Sequence, residues 1–236
     1  MNLEEKQLKN AEQLLEQAGY TLPQLIQAFG KYNSKMLMLG DADYSEFAMA
    51  YDQLKQSDLN KREKGKRLEE LATILFEKSV ANIFDVYRNC RTSTNEIDIL
   101  LRWSEHARMS AINTAFPCFG ESFLCECKNY NGKVDVTYVG KFCSLMLVTG
   151  TNLGIMVSWD GVTGRGPWSD SKGLIKKIVL KENKYIIVID KNDLSRIYNK
   201  EASIFSIIYD KYLALQTEVD YSNYILKHDA ELDLGK

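Results

Sequence analysis

A carboxylate and an amine two residues apart, in the run Phe123-Leu124-Cys125-Glu126-Cys127-Lys128-Asn129, are the side chains of this sequence best placed to do chemistry. The run has strand character. On a strand alternate side chains share a face, so Glu126 and Lys128 point one way while Cys125 and Cys127 point the other, into apolar packing. Upstream, Asn95-Glu96-Ile97-Asp98-Ile99-Leu100-Leu101 is a second strand-like run in which Asp98 emerges among residues that favour burial. If the two strands are neighbours, Asp98, Glu126 and Lys128 converge. Two carboxylates brought together repel, and a hard divalent cation is the usual relief. Mg²⁺ accepts one or two carboxylates with waters and a phosphate oxygen, an arrangement suited to phosphodiester hydrolysis, and a nearby lysine would orient the attacking water or neutralise the transition state. The plainer account of the same residues is an exposed Glu–Lys pair contributing about 0–1 kcal/mol, with Asp98 simply ending a strand.

The elements that would position these groups follow from the hydrophobic spacing. Helices are expected over residues 3–18, with Gly19 as a stop, over 21–29, with Pro23 near the first turn, and over 44–54 after the Gly40-Asp41-Ala42-Asp43 turn. These make residues 1–60 an acidic, all-α N-terminal module. The polar, basic run from Lys55 to Arg67 reads as a linker into the main domain, followed by a helix from about Lys66 to Ser79 with Leu68, Leu71, Ala72, Leu75 and Phe76 as its buried stripe. Strands are expected from Ile83 to about Cys90, from Glu96 to Trp103 and from about Glu121 to Lys128, the first two joined as a hairpin through Thr92-Ser93-Thr94-Asn95. Residues 104–120 form a polar and aromatic excursion without a clear period. Beyond the turn at Asn129–Gly132, a helix is expected over 136–149, a buried strand over 153–159 and a glycine-rich loop at 160–167. A helix over 171–180, a strand over 185–190 and a closing helix over 202–216 complete the series. The order argues for an α/β fold, a mixed sheet flanked by helices, over residues 61–200, with a C-terminal helix and tail at 201–236.

Composition bounds the rest. A 236-residue chain that is 45% hydrophobic can bury a good-sized core. No run reaches the roughly 18 apolar residues of a membrane span, and Met1-Asn2-Leu3-Glu4-Glu5-Lys6 lacks the features of a secretory signal, so a cytoplasmic protein without membrane contact is expected. The odd number of cysteines, five, without a Cys-x-x-Cys pair, fits a reducing compartment. Cys125 and Cys127 make a poor zinc corner, since one strand face is not tetrahedral and only His106 and His228 could assist. The net charge of −2 conceals an uneven distribution: −4 over residues 1–60, zero over 61–127, +6 over 128–200 and −4 over 201–236. The positive stretch follows the Glu126 strand directly, which suits an anionic partner as well as it suits a solvated lysine surface.

Taken together the motifs resemble the PD-(D/E)xK nuclease superfamily and, within it, the Mrr-like restriction endonucleases. Gly65-Lys66-Arg67-Leu68-Glu69 resembles the family's opening helix, Asn95-Glu96-Ile97-Asp98 its aspartate strand and Glu126-Cys127-Lys128-Asn129 its Glu-x-Lys strand. The following helix and strand, ending in Gly161-Val162-Thr163-Gly164, continue the likeness, which covers residues 64 to about 195. The resemblance implies a restriction-endonuclease-like mixed sheet and a Mg²⁺-dependent DNA endonuclease, with Mn²⁺ as a substitute ion. Asp98, Glu126 and the Cys127 main-chain carbonyl would be metal ligands, Lys128 would act on the attacking water, and Glu69 would be an accessory acid. Lys133, Lys141, Arg165 and Lys172 would contact the nucleic-acid backbone. The sequence departs from the family's pattern in having no proline before Asp98, and Glu96 shares the Asp98 face as a second acid or a decoy. A restriction or phage-defence effector is implied, its N-terminal helices forming a homodimer or docking a companion protein. Two other readings stand beside it: a catalytically silent nucleic-acid- or protein-binding adaptor of the same fold, and an RNA-directed nuclease, since the same metal chemistry serves both substrates.

Overall fold

The computed structural model describes residues 13–14, 17–19, 38–55, 59–78, 83–91, 96–109, 112–128, 132–166 and 168–218. The chain divides into two compact units, Met1–Leu37 and Met38–Lys236. The helices expected over 3–18 and 21–29 belong to the first unit and lie almost wholly outside the described residues. The fold below is that of the second.

Helix α1 spans Asp41–Leu54, three residues earlier than the spacing predicts, with Asp41 and Asp43 at the positive end of the helix dipole. Helix α2 spans Lys61–Lys78. Much of the basic run expected as a linker is therefore its first two turns. The reason is a reciprocal cap: the Glu63 N–H donates to Asn60 Oδ1 at 3.0 Å and the Asn60 N–H donates to the Glu63 carboxylate at 2.9 Å, satisfying two donors that a helix start otherwise leaves unpaired. Arg67 then donates to Gln53, tying α2 to α1.

Five strands, β1 (Phe84–Arg91), β2 (Glu96–Trp103), β3 (Ser122–Cys127), β4 (Leu153–Val157) and β5 (Tyr185–Ile189), form one sheet in the order β1-β2-β3-β4-β5. The first three are antiparallel and the last three parallel. Each parallel connection carries a helix, α4 (Val136–Thr149) between β3 and β4 and α5 (Asp170–Glu182) between β4 and β5, as a crossover between parallel strands requires. Asp135 caps α4, its carboxylate accepting from Thr137 N–H at 2.8 Å. Between β2 and β3 lie the short helix α3 (Glu105–Met109) and two 3₁₀ turns, Ile112–Ala115 and Pro117–Phe119.

The strand period divides the core in two. Leu124, Met156 and Ile186 pack with Val139, Phe142 and Met146 of α4 and with Ile175 and Ile178 of α5. On the opposite face a cluster of rings joins Phe76 of α2, Phe84, Trp103, Phe119, Phe123 and Phe205, with neighbouring ring centroids 4.7–6.0 Å apart. Residues 104–120 are the source of Phe116 and Phe119 in this cluster. Trp103 secures the segment by donating from its indole N–H to the Gly120 carbonyl at 2.6 Å. Each buried ring contributes about 1.5–3 kcal/mol, so this irregular segment is a wall of the core.

After β5 the chain forms α6 (Lys191–Tyr198), capped reciprocally by Asp190 and Asp193, and α7 (Ile204–Thr217). Helix α7 supplies Phe205 to the ring cluster, and its Lys211 ammonium is joined to the buried Asp193 carboxylate and donates to the Val188 carbonyl at 2.6 Å. Tyr51 of α1 lies against Tyr198 and Trp159, with centroids 4.8 and 5.7 Å away. The result is the α/β architecture expected, a mixed sheet covered on both faces by helices. No helix among the described residues is long and apolar enough to cross a membrane.

Gly154 sets the distance between β4 and α4. A β-carbon there would lie 2.6 Å from both the Met146 sulfur and Phe142 Cε1, so the helix rests on bare backbone. Gly154→Ala is expected to destabilise the protein by about 1–3 kcal/mol through overpacking, read as a lower urea midpoint at unchanged m-value. An unaltered midpoint would show that α4 shifts without cost.

Candidate active site

The geometry begins with a difference in length between two ladders. Strand β3 pairs with β2 as far as Ile99↔Cys125, but with β4 through Cys127↔Val157, and the Lys128 N–H still donates to the Val157 carbonyl at 2.8 Å. The last residues of β3 are therefore held on one side only. The Cys127 N–H on the released side is taken up by Asp98, whose Oδ2 accepts it at 2.8 Å. Because a strand residue's N–H and C=O point to the same side, the Cys127 carbonyl is also turned toward the Asp98 side. Carried one step further, the β2–β3 register sets Asp98 opposite Glu126.

The three side chains named from spacing meet here. The Lys128 ammonium is ion-paired to the Glu126 carboxylate and stands 4.0 Å from Asp98 Oδ2. All three are largely withdrawn from water, with side-chain exposures of 21% for Lys128, 14% for Glu126 and 18% for Asp98, so their fields are only partly screened. Glu69, half-buried on α2, senses the same cluster. Burial and then the Asp98 charge push its carboxyl above the usual carboxylate value, Lys128 opposes the rise, and Glu96 adds to it. Burial and then Asp98 likewise raise Glu126 above its ordinary 4.5, and Lys128 counters this only in part. Three acids thus share one lysine, with Glu96 a further negative charge acting on Glu69.

That donor set suits a hard divalent cation: carboxylates at mutual cost and a carbonyl turned to the same side, with no soft sulfur ligand exposed. Among the described residues no three His, Cys, Asp or Glu side chains form a ready-made metal cage, so two carboxylates completed by waters is the fitting arrangement. The Cys125 and Cys127 side chains are core packing. Both are buried, and the Cys127 thiol is pushed well up, first by its hydrogen bond with Cys125 and then by burial.

The four basic residues expected at the nucleic-acid backbone are all exposed. Arg165 lies in the loop between β4 and α5 and Lys172 in the first turn of α5, where the Lys172 N–H closes that loop onto the Thr163 carbonyl at 3.1 Å. Lys133 adjoins it through the Val134↔Val162 bridge. Lys141 sits within α4 with its ammonium 5.4 Å from the Tyr138 ring centre. Sequence reasoning did not single out Val157, whose carbonyl fixes the backbone of Lys128. The signal was the apolar run Leu153–Trp159 itself, but its partner strand is not written in its composition.

Residues 60–198 match the family model of the Mrr catalytic domain, described as restriction endonuclease. The chain belongs to this family of nucleases. No curated protein matches it. Among solved structures, the DNA modification-dependent restriction endonuclease AspBHI is similar at 14% identity and a TM-score of 0.38, over 79% of this chain and 43% of that one. This chain thus spans less than half of that enzyme's length.

The raised Glu126 carboxyl has a consequence for stability. Glu126 holds its proton more tightly in the folded than in the unfolded state, so this contribution is complete below about 4.5 and is lost as pH rises through the raised folded value. Glu126→Gln has no such proton to lose. Its stability relative to wild type in urea unfolding is expected to improve as pH rises above about 4.5 and to level off once the folded carboxyl has ionised. A difference that stays constant, or moves toward wild type, would contradict a carboxylate held at net cost.

Proposed function

We propose that this chain is a divalent-metal-dependent endonuclease that hydrolyses DNA phosphodiester bonds. The observation that carries the reading is the Lys128 ammonium between Asp98 and Glu126 at the one-sided end of β3. In this reading Asp98, Glu126 and the Cys127 carbonyl hold Mg²⁺, or Mn²⁺ in its place, and Glu69 reaches the ion's water shell. The bound ion would acidify a water and offset charge on the phosphate. Lys128 donates N–H groups toward the attacking water and the phosphate oxygens, and its backbone anchor at Val157 limits how far it swings. Asp98, fixed by the Cys127 N–H through one oxygen, keeps its position when the cluster's charge changes. The role that follows is restriction or phage defence in the cytoplasm, with the N-terminal segment joining a second copy or a companion protein.

The test is cleavage of plasmid, linear DNA and RNA by the full chain with Mg²⁺, with Mn²⁺ and with EDTA. DNA cleavage that requires the ion and falls by at least ~100-fold in both Glu126→Ala and Lys128→Ala is expected. Mg²⁺ should also raise the Tm of wild type by a few degrees, and not that of Glu126→Ala, as expected for a ligand of the folded state alone. Preference for RNA would move the substrate class. Wild type as inert as both variants, with nucleic-acid binding intact, would favour the adaptor of the same fold.

A further inference from the structure

The loop from Ser158 to Ser169 begins directly after Val157, whose carbonyl holds Lys128, and ends in a side chain that the proposed hydrolysis does not use. Trp168 is 49% exposed. A ring of that size left half in water forgoes part of its burial, yet the residues after it are closely hydrogen-bonded. The Ser169 hydroxyl accepts from the Gly166 N–H at 2.9 Å and donates to the Gly166 carbonyl at 3.1 Å. The Gly173 N–H donates to the Ser169 carbonyl at 3.0 Å, and a β-carbon at Gly173 would collide with the Trp168 carbonyl, so α5 accepts the loop only because that residue is glycine. Asp170 has φ 49°, an uncommon conformation for a residue with a side chain. On the inner side of the loop the Thr163 hydroxyl lies 2.8 Å from Ser171 Oγ, and the Ser171 hydroxyl donates to the Val134 carbonyl at 3.0 Å.

The indole is thus presented on a well-connected frame with positive charge around it. The Lys176 ammonium lies 5.1 Å from the Trp168 ring centre, and Arg165 and Lys172 are exposed on the same loop and the first turn of α5. A half-exposed ring with a lysine over one face, and two more exposed cations on the same loop and helix start, suits a nucleic-acid strand, in which each unpaired base offers a π-face and each link a phosphate. In a continuous duplex both faces of every base are already stacked.

We propose that Trp168 is a stacking platform for an unpaired base of a single-stranded segment, whose flanking phosphates are held by Arg165, Lys172 and Lys176. This rests on the nuclease reading and adds to it a preference for substrate that contains unstacked bases.

The experiment uses the full chain in EDTA with a short single-stranded DNA carrying 2-aminopurine, and a blunt duplex of the same length. Trp168→Ala is expected to weaken single-strand binding about tenfold and to abolish the quenching of 2-aminopurine on binding, while Trp168→Phe retains most of both. Duplex affinity should change little in Trp168→Ala. Lys176→Ala should flatten the dependence of log Kd on log salt, and Trp168→Ala should leave that slope as it is. Circular dichroism melts of each variant identify any loss of binding that is loss of fold, and Trp168→Phe then carries the comparison. Equal single-strand affinity and quenching in wild type and Trp168→Ala would overturn the proposal. If wild type still cleaves DNA in Mg²⁺, the nuclease reading survives that result; if wild type neither binds nor cleaves any nucleic acid, both fall.

Discussion

The site depends on β3 being held longer on one side than on the other. Were the β2–β3 ladder to continue, the Cys127 N–H and C=O would be spent on β2 and the strand end would be ordinary sheet. Because it stops at Ile99↔Cys125 while β4 holds on to Lys128, two adjacent residues face different surroundings: one backbone group is pinned in the sheet and its neighbour is left to a carboxylate. Asp98 therefore has two roles in one position. It completes the backbone hydrogen bonding that the sheet abandons, and it brings a negative charge to the end of the Glu126 strand.

The charges gathered there are arranged at a cost that the fold bears elsewhere. Glu69 and Glu126 both hold their protons more tightly than exposed acids, each by burial first and Asp98 second. Nothing in the packing of the strands requires this, since Leu124 shares the Glu126 face and is fully at home in the α4 and α5 core. The ring cluster on the opposite face and the close seating of α4 on Gly154 supply the rigidity that keeps repelling groups together. The cluster of acids around one lysine is thus sustained by packing on both sides of the sheet.

Much of this was legible in the sequence. The β2 limits Glu96–Trp103 and the α4 limits Val136–Thr149 follow from period and turn signals alone, and the convergence of Asp98, Glu126 and Lys128 follows once two strands are taken as neighbours. What was not legible depended on partners distant in the chain. The turns of α2 from Lys61 to Arg67 carry no apolar stripe, and Arg67 is held by Gln53 of another helix; the one local signal was the Asn60–Glu63 cap. Residues 104–120 have no period because Phe116 and Phe119 are placed one at a time against rings from β1, β2 and α7. Helix α6 is only eight residues long, too short for its stripe to stand out beside the strand before it. The two helices expected before residue 30 remain a reading of the sequence.

The Lys211–Asp193 pair bears on how far the packed core reaches along the chain. The family match stops at residue 198, and by sequence kinship α7 is an appendage. Energetically it is not: losing the Lys211 ammonium from the buried Asp193 carboxylate would cost about 3–5 kcal/mol, and losing Phe205 would open a hole beside Phe84 of β1, Phe116 and Phe119. The stretch that matches the family model and the stretch that packs into one core are here two different lengths of chain. The last helix makes up the difference.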